Sequence, residues 1–496
     1  MANKVYLAID LGASGGRVLA GLFDGERLLL EEVHRFENGG VQIGTRLQWD
    51  VLFLWNQIQH GLRMAAAKYE HKIVSIAVDT WGVDFALLGP GDELLGNPYC
   101  YRDQRTAGIF EKAFSMVSRE DIFAETGLQF MEFNTLYQLL AMRLQKSPLL
   151  DIAESFLMIP DLFHWLLTGV KTNEYTNAST TQFLNPHTRD WSRGLLEKFG
   201  IPTKILGQLV EPETIIGPVR KSIAEATGLS NVKVVLPGTH DTASAVLAVP
   251  AASKPNSIPD WAFLSSGTWS LMGVETPRPV TTDRCRQLNF TNEGGIGNTV
   301  RLLKNIAGMW LVQECRRIWK QGGTEFGWDD LIRRAQAERP LASIINPDHP
   351  SLTAPKDMPQ AIRELCAMTG QPVPENEGEI IRCALQSLAL RYRGVMGMLE
   401  ELVGTSLNTI HIVGGGTNNK LLCQMAADSC NRRVVAGPVE ATAIGNLMLQ
   451  AVADGAVGSI AQAREIVRDS FEVQEYLPQH TAEWDEAYGK FQALVK

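Results

Sequence analysis

The sequence contains no dense run of basic residues and no excess of positive charge. Lys and Arg total 46 against 55 Asp and Glu, which gives a formal net charge of −9. Proteins that bind nucleic acid use clustered positive charge to contact the phosphate backbone. We therefore expect no nucleic-acid partner.

Long apolar runs are also absent. No stretch approaches the roughly 18 apolar residues of a membrane-spanning helix. The N-terminus, MANKVYLAID, reaches the charged Asp10 after a very short apolar run, which is too short for the core of a signal peptide. We therefore expect a cytoplasmic protein that does not associate with a membrane.

Common metal-binding patterns are missing as well. The seven cysteines form no Cys-x-x-Cys, and none of the nine histidines pairs with another at helical spacing. A structural zinc site is therefore not indicated. Cys366 and Cys383 are candidates for a disulfide, but a reducing cytosol favours buried free thiols.

What the chain does have is length and ample apolar material. With 496 residues, of which 45% are hydrophobic, it exceeds one ordinary core, and roughly 150 residues per domain allows two to four domains. The segment AASKPNSIPDW (251–261) has the Pro, Ser and Asn content of a linker. We predict two large domains, 1–250 and 251–496.

Two similar glycine hairpins begin these halves. VYLAID (5–10), a glycine turn and RVLAGLF (17–23) predict strand, turn and strand, and AFLSSGTWSLMGVE (262–275) repeats the pattern. The repetition indicates duplicated domains. Because the first glycines join two strands, a Rossmann or P-loop phosphate site, which joins a strand to a helix, is disfavoured.

The remaining periodicity predicts a mixed α/β protein. IVSIAVDTWGVDFALLG (73–89) predicts two strands, and helical periodicity dominates from about 105 to 170. The stretch 385–404 predicts a long helix, and 409–430 predicts strand, glycine loop and helix. NIAGMWLVQECRRIW predicts one helix on which Asn305 and Gln313 lie roughly 12 Å apart.

Two carboxylates stand where chemistry is possible. Asp10 ends a predicted strand before the glycine loop, so it could reach a hydrated Mg²⁺ or simply form a turn. Asp241 in LPGTHDTASA lies at a predicted helix start, where it could face a cleft as an ionised group or cap the helix.

Several other residues have two possible interpretations. Arg17 is a candidate phosphate partner or a solvated strand residue. Thr268 could contact phosphate or form a turn, and the glycines at 414–416 could approach a nucleotide or form a tight turn. Trp81 and Asp84 could face a sugar, or Trp81 could be an ordinary buried residue.

Taken together and in this order, these segments resemble the FGGY carbohydrate kinase family. The resemblance rests on the following blocks: DLGASGGRV (10–18), DTWGVDF (79–85), YRDQRT (101–106), FNTLYQL (133–139), EYTNASTTQ (174–182), GTHDTASAV (238–246), SSGTWSLMG (265–273), TNEGG (291–295), LLKNIAGMWL (302–311) and HIVGGGTNN (411–419). It implies an α/β fold of two ribonuclease H-like (actin-like ATPase) domains with a cleft between them.

The resemblance also implies a reaction, phosphorylation of a ketose by ATP with Mg²⁺, and a set of residues. Within the family, the blocks look like those of members that phosphorylate L-rhamnulose at its 1-hydroxyl. The implied ATP contacts are Ala13, Ser14, Gly15, Gly16, Arg17, Thr268, Gln313 and Gly415. The implied sugar contacts are Gly82, His240, Asp241, Thr242 and Asn305. Asp241 would be the proton acceptor, and Asp10 would hold Mg²⁺.

One departure and several alternatives accompany this reading. Gly15 stands where Ser is often found in the family, which removes a hydroxyl but keeps the backbone donors. L-Fuculose or D-xylulose could replace L-rhamnulose, because such ketoses differ by few hydrogen bonds. An actin-like ATPase without a sugar substrate would share both hairpins. We expect a monomer or a homodimer.

Overall fold

The structure is a computed structural model that describes residues 4–252, 257–353 and 355–495. The chain forms two compact units: one comprises 1–257, 275–302 and 441–471, and the other 258–274, 303–440 and 472–496. The predicted division after residue 250 remains a prediction. Residues 253–256 of the predicted linker lie outside the described residues.

The first half of the chain is mixed α/β, as its periodicity predicts. Its strands and helices are β1 (Lys4–Leu11), β2 (Gly15–Phe23), β3 (Leu28–Glu37), β4 (Gly40–Ile43), β5 (Arg46–Trp49), α1 (Val51–Tyr69), β6 (Ile73–Thr80), β7 (Phe85–Leu88), α2 (Ile109–Met116), α3 (Arg119–Thr126), α4 (Thr135–Leu144), α5 (Pro148–Ile152), β8 (Ser155–Met158), α6 (Ile159–Thr168), β9 (Asn173–Glu174), α7 (Tyr175–Ala178), β10 (Leu184–Asn185), β11 (Asp190–Trp191), α8 (Arg193–Lys198), β12 (Leu209–Val210), β13 (Ile215–Pro218), α9 (Lys221–Thr227), β14 (Lys233–Val235) and α10 (Asp241–Leu247).

The second half continues the same alternation. Its elements are β15 (Trp261–Ser266), β16 (Trp269–Thr276), α11 (Asp283–Leu288), β17 (Thr291–Gly294), β18 (Val300–Ala307), α12 (Trp310–Gln321), α13 (Trp328–Ala337), α14 (Met358–Met368), α15 (Glu377–Val403), β19 (Thr409–Val413), α16 (Lys420–Cys430), β20 (Arg433–Ala436), α17 (Ala441–Ala453), α18 (Ile460–Ser470), β21 (Gln474–Tyr476) and α19 (Thr481–Leu494).

Both predicted glycine hairpins are confirmed, and each starts a sheet of the same design. β1 pairs antiparallel with β2 and parallel with β6, and β15 pairs antiparallel with β16 and parallel with β19. The first sheet has the order β13-β14-β6-β1-β2-β3, and the second has β17-β18-β16-β15-β19-β20-β21. The repeated pairing supports duplication more strongly than the short sequence match does.

The core of the first unit is built on β1 and the elements around it. β1 is buried over nearly its whole length, because it is paired on both edges and covered on its faces. Helix α1 begins at Asp50, whose side chain accepts a hydrogen bond from Phe53 N, and it buries Leu54, Ile58 and Leu62 on one face. Such packing holds the strand ends in fixed positions.

Helix α17 covers β1 and β6 and packs closely on α10. A Cβ built at Gly445 of α17 would lie 1.8 Å from the carbonyl oxygen of Ser244 in α10. Only glycine permits this approach. The contact therefore fixes α10, which carries Asp241 at its first position.

One predicted element is wrong. Asn305 and Gln313 do not share a helix, because Asn305 lies in β18 and Gln313 in α12. Gly308 separates the two elements, and a Cβ there would come within 2.5 Å of the backbone carbon of Trp269. The apolar residues of LLKNIA fit a helical period as well as a buried strand, and the pairing of β18 between β17 and β16 makes this segment a strand.

Two further expectations concern cysteines and membranes. All seven cysteines are buried and free, and the sulfur atoms of Cys366 and Cys383 are 3.9 Å apart. The preference for free thiols is confirmed. None of the helices that the structure describes has both the length and the apolar character needed to cross a bilayer.

Candidate active site

Three aspartates of the first unit come together at one edge of its sheet. Asp10 in β1 is directly opposite Asp79 in the parallel strand β6. Next to β6, Thr80 forms a parallel bridge with His240, and Thr80 N donates to Thr239 O at 2.9 Å. Because parallel strands end at the same edge of a sheet, Asp241 lies beside the other two carboxylates.

One oxygen of Asp241 is held firmly. Thr242 N donates to its Oδ1 at 2.6 Å and Thr242 Oγ1 at 3.1 Å, while His240 Nε2 lies 3.4 Å from the same oxygen. None of the described residues donates to Oδ2, and 32% of the side chain is exposed. Asp241 therefore presents one open oxygen, and it is not the N-cap, a position taken by His240.

The surroundings of Asp241 shift its pKa upward. Burial raises the pKa of its carboxyl group, nearby His240 opposes the rise, and the negative charge of Asp10 adds to it. A carboxylate with a raised pKa binds a proton more readily than ordinary aspartate. This property suits a proton acceptor.

The surroundings of Asp10 and Asp79 show whether a metal ion fits at this edge of the sheet. Arg17 Nη2 donates to Asp10 Oδ2 at 2.6 Å, and Asn446 Nδ2 donates to Asp79 Oδ2 at 2.6 Å. Oδ1 of Asp79 is buried without a hydrogen-bond partner. Burial and then the charge of Asp10 raise the pKa of Asp79 well above its usual range. This uncompensated oxygen fits a nearby cation.

A metal ion at this position would have few direct ligands from the protein. Among the described residues no group of three or more His, Cys, Asp and Glu side chains could hold a metal ion. Mg²⁺ commonly uses one or two carboxylates and completes its shell with water and substrate phosphates. The oxygen donors of Asp10 and Asp79 fit Mg²⁺ on those terms.

Behind Asp241, two buried charged residues contact His240. Nδ1 of His240 lies 3.2 Å from Glu293 Oε2 and 3.1 Å from Arg301 Nη2. Glu293 and Arg301 form an ion pair at 3.2 Å, and Arg301 Nε donates to Gly294 O at 2.8 Å. The imidazole ring therefore lies between this pair and Asp241.

Glu174 fixes the loop that leads to His240. Its carboxylate accepts hydrogen bonds from the backbone N–H of Thr176 at 2.9 Å and of Thr239 at 3.1 Å, and from the hydroxyls of both residues. Burial raises the pKa of Glu174, although these donors oppose the rise. The loop thus has a fixed conformation immediately before Asp241.

The motif DTWGVDF forms a wall of the same region. Asp84 is fully buried and accepts from Trp49 Nε1 at 2.7 Å, Trp81 Nε1 at 3.0 Å, Tyr101 N at 3.1 Å and Gln138 Nε2 at 2.8 Å. All of its capacity is used internally, so it orients the tryptophans and does not bind sugar hydroxyls. The interpretation of Trp81 as an ordinary buried residue is supported, because it is 6% exposed.

Gly82 is buried in this wall. A Cβ there would lie 3.0 Å from the hydroxyl and methyl groups of Thr180, and Thr180 Oγ1 accepts from Val83 N at 3.0 Å. Glycine at this position lets the strand connection pack against Thr180.

The loop between β1 and β2 is closed by its own backbone. Gly12 N donates to Gly15 O at 2.8 Å, and Asn38 Nδ2 donates to Gly12 O at 2.7 Å. A Cβ at Gly16 would lie 2.3 Å from the Phe36 ring, whereas one at Gly15 would be in ordinary contact with a backbone oxygen at 3.5 Å. Ala13 and Ser14 form the tip, and Ser14 is exposed.

In the second unit, the other hairpin is joined to the start of α12. Trp310 N donates to Thr268 O at 3.1 Å, and Met309 N donates to Gly267 O at 3.0 Å. Gln313 N donates to Met309 O at 2.9 Å in the first turn of the same helix. Thr268 and Gln313 are therefore brought into one region of this unit.

The glycine run at 414–416 meets the end of β15 in this unit. Gly414 has φ +85°, and a Cβ at Gly416 would lie 2.0 Å from Ser266 Oγ. A Cβ at Gly415 would have no described atom within 4 Å. The outer glycines serve the backbone turn and its packing, and Gly415 is the one whose surface is open.

Four residues of the first unit were missed by the motifs: Asp79, Glu293, Arg301 and Asn446. Glu293 lies in the quoted block TNEGG, and Asp79 lies in DTWGVDF, so block membership could have indicated both. Arg301 and Asn446 have no such signal, because only the folded chain brings them to His240 and Asp79.

The comparisons with known proteins agree with this architecture. The model of the FGGY family of carbohydrate kinases, N-terminal domain, matches residues 5–248, and that of the C-terminal domain matches residues 262–453. The chain belongs to the FGGY family of carbohydrate kinases, and it is a sugar kinase enzyme.

Curated relatives similar to the chain include two rhamnulokinases. That of Bacteroides thetaiotaomicron is 45% identical over 491 residues, which are 99% of each chain. That of Bacillus subtilis is 38% identical over 475 residues, which are 96% of this chain and 95% of the relative. The predicted resemblance to this branch of the family is confirmed.

Solved structures similar to the chain include a ligand-bound xylulose kinase from Lactobacillus acidophilus, with TM-score 0.82 and 16% identity. A glycerol kinase from Plasmodium falciparum with ADP has TM-score 0.77 and 14% identity. Each alignment covers 99% of this chain and 97% of the other. At such identities the likeness concerns the fold alone, and the predicted two-domain α/β, actin-like ATPase fold is confirmed.

Proposed function

We propose that this enzyme transfers the γ-phosphoryl group of ATP to the 1-hydroxyl of L-rhamnulose, with Asp241 as the proton acceptor. The observation that carries the proposal is the state of Asp241, whose Oδ1 is held by Thr242 while Oδ2 has no donor among the described residues. The 45% identity to a rhamnulokinase over 99% of both chains supports the choice of sugar.

Phosphoryl transfer requires mainly a positioned nucleophile and compensation of phosphate charge. In the proposed reaction, Asp241 Oδ2 accepts the proton of the sugar's 1-hydroxyl while the hydroxyl oxygen bonds to the γ-phosphorus. The bond from that phosphorus to the β,γ-bridging oxygen breaks, and ADP leaves. His240 and Thr242, which hold the other oxygen, keep the carboxylate oriented. Gly82 and Asn305 complete the proposed sugar contacts, together with His240 and Thr242.

The nucleotide contacts follow the glycine loops. The loop residues Ala13, Ser14, Gly15, Gly16 and Arg17 and the second-hairpin residue Thr268 would bind phosphate oxygens. Gln313 and Gly415 would line the rest of the nucleotide site, and the open surface at Gly415 supports its part in this. Asp10 and Asp79 would hold Mg²⁺, which in such sites neutralises phosphate charge.

A panel of ketoses tests the substrate. Consumption of ATP by the purified enzyme is measured with L-rhamnulose, L-fuculose, D-xylulose and glycerol, and the phosphorylated position is read by NMR. We expect the largest kcat/KM with L-rhamnulose, by at least about tenfold, the scale that a few hydrogen bonds supply. A larger value with another ketose would reassign the substrate, and product at another hydroxyl would overturn the regiochemistry.

We also propose that the enzyme works in the cytoplasm. Its seven cysteines are buried free thiols, the state that a reducing compartment maintains. Fractionation of cells that produce the protein, followed by assay of each fraction with L-rhamnulose, tests this location.

A further inference from the structure

A buried ion pair lies directly behind His240. Glu293 in β17 and Arg301 in β18 are 6% and 0% exposed, and Oε2 of the glutamate is 3.2 Å from Nη2 of the arginine. Burial alone would raise the pKa of Glu293, but Arg301 and His240 hold it below its usual range. The carboxylate is therefore ionised.

The position of the Glu293–Arg301 pair beside His240 indicates its role better than its contribution to stability does. Charges removed from water are costly, and a buried ion pair commonly adds no more stability than apolar residues of similar volume. Here Arg301 Nη2 is hydrogen-bonded to His240 Nδ1 at 3.1 Å, and Glu293 Oε2 lies 3.2 Å from both that nitrogen and the guanidinium. A role at His240 explains why charge is placed at this point.

The other nitrogen of the ring completes a continuous series of contacts. His240 Nε2 lies 3.4 Å from Asp241 Oδ1, and His240 N donates to Thr176 Oγ1 at 3.2 Å. The backbone N–H of His240 is thus fixed, and the orientation of its ring depends on what contacts the two nitrogens.

We propose that Glu293 and Arg301 are positioning residues for catalysis. Arg301 donates to His240 Nδ1, so the ring proton lies on Nε2 and faces Oδ1 of Asp241, which leaves Oδ2 for the acceptor hydroxyl. Glu293 holds the guanidinium of Arg301 in this position by its charge. This inference rests on the proposed role of Asp241. Neither residue touches the reacting atoms in this account, because both act through His240.

A double-mutant cycle on kcat, at saturating sugar and ATP, tests the proposal. Glu293→Gln keeps the shape of the side chain and removes its charge, and we expect kcat to fall about tenfold, a usual coupling for neighbouring residues. In a His240→Asn background the same substitution should change kcat less than about twofold, since the imidazole through which Glu293 acts has been removed. Equal losses in both backgrounds would overturn the proposal.

A matched control separates positioning from the cost of an uncompensated arginine. The first unit has a second buried pair, Glu275 and Arg464, joined at 2.6 Å. Glu275→Gln should leave kcat within about twofold, because Glu275 is bonded to Arg464 and Thr299 and reaches Arg301 only through longer-range charge. A tenfold loss there as well would overturn the proposal.

A second variant covers the case in which Glu293→Gln does not fold. Glu293→Gln/Arg301→Met removes both charges and should fold, because no buried charge is left alone. We expect the same tenfold loss of kcat, and wild-type kcat would overturn the inference. A failure of the proposed function is distinguished by a separate variant. If Asp241 is not the proton acceptor, Asp241→Asn keeps its activity, whatever the double-mutant cycle shows.

Discussion

At the scale of single residues, the site is built from carboxylates that differ in what surrounds them. Asp10 is neutralised by Arg17, Asp84 is satisfied by four donors, and Asp241 keeps one oxygen open. Identical side chains thus have three different surroundings, and the roles that we propose for them differ accordingly: metal binding for Asp10, orientation of tryptophans for Asp84 and proton transfer for Asp241. Environment assigns these roles, as it does in other enzymes.

Replacing Asp10 should change the dependence on Mg²⁺. Asp10→Asn removes a negative charge beside Asp79, so we expect more Mg²⁺ for half-maximal activity and partial recovery at high Mg²⁺. Titration of Mg²⁺ at fixed ATP measures both effects. If the titration curve matches that of the wild type, Asp10 serves only as the partner of Arg17 and does not hold the metal.

The pH dependence should report Asp241. Burial raises its pKa, and the base works only when ionised, so kcat/KM should fall as pH drops through a pKa above the usual value of about 3.9. A kcat/KM profile from pH 4 to 8 would show this acid limb, and the residual activity of Asp241→Asn should lack it. An acid limb at or below about pH 4 would contradict the raised pKa.

Asp84 should matter for stability. Asp84→Asn replaces an accepting oxygen by an NH₂ group that faces at least one existing donor. We therefore expect the free energy of unfolding to fall by about 3 kcal/mol, within the range for a buried unsatisfied group. The midpoint of urea unfolding measures it. Asp151→Asn, on the exposed side of α5, is the control and should lie within about 0.5 kcal/mol of the wild type.

At the scale of elements, α10 is the part that has to be held in place. It is only seven residues long, so its own helix stability is small. Packing against α17 and the hydrogen bonds of Glu174 to the preceding loop supply its position. The orientation of Asp241 therefore depends on residues in two distant parts of the sequence.

Gly445→Ala tests that dependence. The added methyl group would meet Ser244 O at 1.8 Å, so α10 must shift and kcat should fall about tenfold or more, because small displacements of reacting groups are costly. Gly397→Ala is the matched control, since a Cβ there has no described atom within 4 Å. We expect it to keep kcat and to stabilise α15 slightly. Wild-type kcat in Gly445→Ala would show that the close contact is not needed.

At the scale of the whole molecule, the sequence predicted the parts that depend on local pattern. Both glycine hairpins, the strand at 73–80, the long helix α15 and the free thiols follow from periodicity, turn residues and composition. The family resemblance supplied the candidate residues. These features are encoded within short segments, so sequence is sufficient to find them.

What escaped prediction depends on contacts between distant segments. Arg301 reaches His240 across 61 positions and Asn446 reaches Asp79 across 367, and no periodicity records such distances. The local pattern around Asn305 predicts a helix, whereas the pairing of β18 in the second sheet makes it a strand. Tertiary contacts overrode the local signal there.

The proposed role of Asp241 as proton acceptor is tested by comparing Asp241→Asn with the wild type in a single turnover. Formation of L-rhamnulose 1-phosphate is followed by rapid quench, and binding of L-rhamnulose is measured by calorimetry on the same samples. We predict a rate at least about 100-fold lower, the scale for loss of a general base, with the Kd for the sugar changed by less than about threefold. A variant that keeps more than half of the wild-type rate would contradict it.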